Sequence, residues 1–172
     1  MGEGFWEITY TGKKMHFISP SPEEICIEDI AHALSMICRF NGHMKEFYSV
    51  EEHSVRVAQL LPRNLMLAGL FHDAAEAYTM DIPRPIKRAY NLHHIEEPVT
   101  KAIFQKYGID LPLPKEVIEA DETLLATELR DLMAKNEYCH VVALPLPERI
   151  CPYSHQLAEN VFLHIAFLLG VR

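Results

Sequence analysis

The sequence predicts an all-α fold with a minor N-terminal β-hairpin or extended arm, and three observations predict it. Apolar residues recur at helical spacing through most of the chain. Two stretches, Ser21-Pro22-Glu23-Glu24 and Ser49-Val50-Glu51-Glu52, carry the residue order of a capping box at a helix start. Alternation of period two is confined to the first residues, and Pro or Gly punctuates the helical segments that follow.

Taken in order, Phe5–Ile18 alternates loosely around Thr11-Gly12 and suits a small hairpin or arm. The first capping box opens a helical pattern that is strongest from Glu28 to Cys38 and is broken by Asn41-Gly42. The second opens a helix with Val50, His53, Val57 and Leu60 on one face, stopping near Pro62. Asn64 is placed to cap a third helix running to about Tyr78. Asp81-Ile82-Pro83-Arg84-Pro85 reads as a loop, because proline and the residue before it resist helix. Helical segments are expected near Pro85–Tyr107, with a break at Asn91 or Pro98, and over Pro114–Lys135. Leu144–Pro152 is a proline-rich loop, and Ser154 caps a last helix to Leu169.

A chain of 172 residues suits one domain, residues 1–172, able to bury a core without disulfide or metal staples. The formal net charge of −8 disfavours a nucleic-acid backbone as partner, which needs surplus Lys and Arg. A local basic pocket for a small phosphate ligand is compatible with it. Cys26, Cys38, Cys139 and Cys151 form no C-x-x-C pair, which points to reduced thiols and a cytoplasmic location. No signal peptide is visible, and the apolar run Val161–Leu169, broken by His164, is too short to span a bilayer. No membrane partner is expected.

Several polar residues fall on faces that otherwise read as core. His53 shares a face with Val50, Val57 and Leu60. Asp121 follows Val117 by four residues and precedes Leu124 and Leu125 by three and four. In "LFHDAAEAYTMDIPRPIK", His72 follows Ala68 by four, and Glu76 follows His72 by four and Asp73 by three. A lone His on an apolar face is more often a satisfied core residue than a ligand, but an inward Asp in a Leu-rich helix is rarer, because carboxylates are seldom buried unpaired. His53, His72, Asp73 and Asp121 together would fill four positions around a divalent cation, whose charge offsets the burial of the two carboxylates. Two histidines and two carboxylates suit Zn, Mn, Fe or Co. The other histidines, ten in the chain altogether, take structural readings, with His43 the runner-up ligand.

The order His53, then His72-Asp73, then Asp121 resembles the HD-domain metal-dependent phosphohydrolases. The stretches "IEDIAHALSMICRFNGH", "YSVEEHSVRVA", "LFHDAAEAYTMDIPRPIK", "IEADETLLATEL" and "LPERI" look like the compact deoxynucleotidase branch of that superfamily, over roughly Trp6 to Ile150. The opening "FWEITYTGKK" looks nearest to the phage dATP triphosphohydrolases.

The resemblance implies an HD-domain helical bundle that hydrolyses a phosphate ester of a deoxynucleotide. His53, His72, Asp73 and Asp121 would hold Zn, Co or Mn, with Mg or Co as additional ions. Glu76 and Asp81 would be the catalytic groups: Glu76 would orient or deprotonate the attacking water or help hold a second ion through water, and Asp81 would serve the same purposes or protonate the leaving 5′-oxygen. Lys87 and Arg39 would clamp phosphate, ahead of Arg84 and Lys45. Trp6 would stack on a purine, and Ile8 would press its edge and exclude 2-aminopurines. The substrate implied is dATP, cleaved to deoxyadenosine and triphosphate, in a phage that uses 2-aminoadenine. A 5′-deoxynucleotidase acting on monophosphates is the alternative, and a non-catalytic nucleotide-binding or scaffold module is the alternative of another class. A homo-oligomer, a hexamer built from dimers, is implied as well. Beside these stand plainer readings: Trp6 as an apolar anchor, Glu76 on a solvated face, Asp81 in a turn, and Arg39 and Lys87 as surface charge at helix ends.

Overall fold

Alternation in the N-terminal stretch produces a two-stranded antiparallel hairpin, β1 (Trp6–Ile8) and β2 (Lys14–His16), with Trp6 opposite His16 and Ile8 opposite Lys14. In this computed structural model residues 5–135, 137 and 141–172 are described; Cys139 and His140 lie outside them. Gly12 supplies the positive φ of 81° that the turn requires. Alternation decides which side goes inward: Met15 is fully buried while Trp6, Glu7 and Ile8 stay exposed. Asp29 anchors the turn, accepting from the Thr11 amide at 2.6 Å and its hydroxyl at 2.9 Å.

The other regular elements of the described residues are helices, α1 (Ile27–Met36), α2 (Val50–Gln59), α3 (Met66–Phe71), α4 (Glu76–Thr79), α5 (Arg84–Tyr90), α6 (His93–Tyr107), α7 (Lys115–Asp131) and α8 (His155–Leu168), with a 3-10 turn at Arg39–Gly42 and irregular chain between them. The fold is therefore all-α with a minor N-terminal hairpin. Ser49 caps α2 by accepting from the Glu52 amide at 3.0 Å, and Ser154 caps α8 by accepting from Leu157. Asn91, in the left-handed conformation, separates α5 from α6, and Pro98 is carried inside α6. No helix among the described residues is long and apolar enough to cross a membrane.

Two expected helix starts moved. Ser21-Pro22-Glu23-Glu24 is a turn and α1 begins only at Ile27. The Glu24 carboxylate that would close the box is drawn instead to the His16 amide at 3.0 Å and ring nitrogen at 2.6 Å. Asn64 does not cap α3, whose flanking residue is Leu65. The helix expected to run to Tyr78 is interrupted from His72 to Ala75, where Ala74 and Glu76 donate three residues back, to Phe71 and Asp73. That tightened turn carries the His-Asp pair.

Helix α2 runs through the middle and is buried on nearly every side, from Val50 to Val55 and again at Val57 and Ala58. One core cluster packs Val50, Val55 and Ala58 against Ile30, Leu34, Phe71 and Phe162. A second packs Val57 and Leu61 against Val117, Leu124 and Leu132 of α7 and its exit. Any polar residue between Val50 and Val55 must therefore find a partner or stay neutral.

The approach of α3 to α2 depends on Gly69. A Cβ there would overlap the Leu61 side chain and lie 3.2 Å from the Ala58 Cα. Leu61 can shift, but the α2 backbone cannot. Gly69→Ala is expected to destabilise the protein by about 1–2 kcal/mol despite alanine's better helix propensity. A lower urea midpoint at unchanged slope is the check; an unchanged or raised midpoint would show that the α2–α3 interface relaxes freely.

Candidate metal centre

Three elements deliver the central groups. His53 comes from the buried middle of α2, His72 and Asp73 from the turn after α3, and Asp121 from α7. The Nε2 atoms of His53 and His72 face each other at 3.2 Å. Asp73 Oδ2 lies 3.2 Å from His72 Nε2 and 3.7 Å from His53 Nε2. Asp121 Oδ1 lies 3.1 Å from His53 Nε2 and 4.0 Å from His72 Nε2.

Ligand atoms about 2.1 Å from one ion stand about 3.0 Å apart when adjacent and about 4.2 Å when opposite. The separations fall in that range. His53, His72 and Asp73 form the tight group that could hold a metal ion, with ligand atoms all within 4.8 Å of one another. Asp121 borders it, with one oxygen 3.1 Å from His53 Nε2. Its other oxygen is held by Arg84 at 2.6 Å, and Arg84 also reaches Glu122 at 2.7 Å.

The electrostatics suit a cation. His72 donates from Nδ1 to the Gly69 carbonyl at 2.8 Å, which leaves Nε2 facing the centre. Burial alone would lower the His72 pKa, but Asp73 and Asp121 outweigh it and push it up to about 9. Burial alone would raise Asp73, but the two imidazoles and Arg39 hold it far below the carboxylate range. Asp121, likewise opposed by burial, is brought down to about 2 by His53 and His72. A site that draws a proton onto a buried imidazole is a site whose field favours positive charge.

The group opens onto a cleft of about 400 Å³. Arg39, Asp73, Glu76, Asp81, Arg84 and Lys87 are its charged lining, and Phe40, Ile82, Leu125, Leu129 and Met133 are among its apolar lining. Glu76, at the start of α4, is 6 % exposed. It takes Lys87 Nζ at 3.1 Å on one oxygen, while the other has no hydrogen-bond partner. Burial, with Asp73 and Asp81 nearby, pushes its pKa up to about 9. Asp81 accepts from the Phe40 amide at 3.3 Å.

The expected phosphate cations are tied to carboxylates. Lys87 pairs with Glu76 and, at 2.7 Å, with Glu96. Arg39, 8 % exposed, has its terminal nitrogens 3.5 Å from Asp73 and 3.2 Å from Glu128. Arg84 is the more open cation, its side chain 52 % exposed. Lys45 bonds the Asp131 carbonyl, and His43 is exposed beyond the 3-10 turn, outside the ligand group. Trp6 and Ile8 are not among the residues lining this cleft. Trp6 lies under Lys14 Nζ, 4.6 Å from the ring centre, and Ile8 borders a separate pocket of about 210 Å³ with Tyr10, Asp29 and Tyr78.

Sequence reasoning missed Glu128. It is fully buried on α7 and accepts a hydrogen bond from His53 Nδ1 at 2.7 Å. Its signal was present: Glu128 follows Asp121 by seven residues, two helical turns along the same face.

Fold and centre together define a helical protein with a partly buried His/Asp group that could hold a metal ion. No family model matches the chain. It is 43 % identical over 125 residues to the uncharacterized protein YfdR of Escherichia coli, covering 72 % of this chain and 70 % of that one. It is 34 % identical over 135 residues to the uncharacterized protein RCAP_rcc00048 of Rhodobacter capsulatus, covering 70 % and 69 %. The chain belongs to the family of YfdR.

Proposed function

We propose that the protein is a metal-dependent phosphohydrolase of deoxynucleotides, of the HD-domain type. The observation that carries this reading is the convergence of His53, His72, Asp73 and Asp121 at the edge of a cleft that is half charged and half apolar. The four groups would hold Zn, Co or Mn, which would polarise a phosphoryl oxygen and acidify bound water. The chain's own residues do the rest. Arg84 offers a half-exposed guanidinium for a phosphate oxygen. Leu125, Leu129 and Met133 offer an apolar wall for sugar or base. Glu76, buried beside the ligands and steadied by Lys87, and Asp81, which lines the same cleft, are the groups placed to move protons to or from the reacting oxygens.

A deoxynucleoside monophosphate suits this cleft better than a triphosphate. Lys87, Arg39 and Arg84 are all paired with carboxylates, and half-exposed Arg84 is the most open of the three to the several charges of a triphosphate. The dATP reading needs Trp6 and Ile8 as a purine pocket, and neither lines the cleft of its own chain. A screen of deoxynucleoside mono- and triphosphates with Mn, Co, Zn or Mg, with and without chelator, decides. The expected result is chelator-sensitive release of nucleoside and inorganic phosphate from monophosphates. Deoxyadenosine with intact triphosphate would select the dATP reaction instead. Binding without any product would leave the nucleotide-binding module.

A further inference from the structure

Behind His53, a buried ion pair that reaches from α7 to the cleft wall joins two of the ligands. Glu128 Oε1 accepts from His53 Nδ1 at 2.7 Å, and its Oε2 lies 3.2 Å from Arg39 Nη2. Arg39 Nη1 in turn lies 3.5 Å from Asp73 Oδ2. Glu128 is fully buried and Arg39 nearly so. We infer that Glu128 and Arg39 are positioning residues of the metal centre: Glu128 fixes the tautomer and ring direction of His53, and Arg39 ties that carboxylate to Asp73. This rests on the metal-centre reading above.

The chemistry asks for such a pair. An imidazole ligates through a nitrogen that bears no proton, so the proton of His53 must reside on Nδ1 for Nε2 to face the centre. A carboxylate accepting from Nδ1 holds that tautomer and makes the ring a stronger ligand. A second buried charge is then required, because an unpaired carboxylate beside a fully buried ring would itself be strongly disfavoured. Arg39 supplies it and also aligns Asp73. His72 is oriented differently, by the backbone carbonyl of Gly69 at 2.8 Å, so of the two rings it is His53 whose direction depends on a side-chain partner.

The test is competition of the protein against a chromophoric chelator for Zn²⁺ and Co²⁺, made on wild type, Glu128→Gln, and the double variant Glu128→Leu/Arg39→Met. Gln keeps an acceptor but loses the charge; the double variant removes both charges and strands neither. The expected affinity losses are about 10-fold for Gln and about 100-fold for the double variant. In the metal-free protein, ¹⁵N signals of the His53 ring should show the proton on Nδ1 in wild type and redistributed in the double variant. A wild type that binds neither ion overturns the metal centre itself. A wild type that binds, with a folded double variant within twofold of it and an unchanged His53 tautomer, overturns only the positioning pair. Should Glu128→Gln fail to fold, the double variant carries the comparison.

Discussion

Asp73→Asn and His72→Ala should each lower phosphate release by about 10³-fold, roughly 4 kcal/mol of transition-state stabilisation. They should also remove tight binding of a divalent cation. The expectation follows from where the two groups sit. Asp73 Oδ2 and the two imidazole nitrogens are mutually within 3.7 Å, so loss of one leaves two ligands, and the nearby Asp121 is half committed to Arg84. Asn at position 73 has nearly the volume of Asp but no charge. The change therefore separates charge from packing, and the fold should persist. Chelator should bring wild type down to the level of the variants, and added metal should restore wild type alone. If Asp73→Asn kept wild-type turnover and metal content, the tight group would be an internal polar cluster without a cation, and the hydrolase proposal would fail.

Much of the scaffold was legible because its signals are local. Ser49 and Ser154 cap helices as their side chains dictate, and Asn91 breaks the α5–α6 segment where a left-handed residue is needed. The starts that moved were decided by contacts distant in sequence. Glu24 was claimed by His16 of the hairpin, a partner that the Ser21 motif cannot reveal. The four candidate ligands were readable from helical periodicity together with the rarity of buried carboxylates, and each imidazole Nε2 lies within 4.0 Å of both carboxylates. What lay beyond reading was which cation faces which anion. Lys87 and Arg39 look like free charges in the sequence, yet folding sets them against Glu96 and Glu128, whereas Arg84, ranked lower, is the one left half exposed. Pairing across α5, α6 and α7 is a property of packing and leaves no periodicity to detect.

Glu51→Gln should make the protein more stable above neutral pH and flatten its pH dependence. Glu51 lies in the buried middle of α2, is fully excluded from solvent, and has no hydrogen-bond partner among the described residues on either carboxylate oxygen. Burial, and secondly the charge of Glu159 on α8, push its pKa from 4.5 up to about 10. Glu159 is itself 3.5 Å from His32 Nδ1 on α1, so the region joins three helices. The folded state therefore keeps a proton that the unfolded chain releases above 4.5. Between these values the native state binds more protons than the unfolded one, and stability falls as pH rises. The contribution is fully present below 4.5 and is lost progressively towards about 10. The slope has a ceiling of about 1.4 kcal/mol per pH unit for one proton. Gln removes the ionisation and should gain about 2 kcal/mol at pH about 8. Glu51→Met, which removes the unpartnered polar atoms as well, should gain at least as much. Urea unfolding of the three proteins from pH about 5 to 9 measures both the gain and the slope. Parallel curves for wild type and Glu51→Gln over that range would mean that Glu51 is ionised in the fold, and that some cation or water, rather than a bound proton, meets its charge.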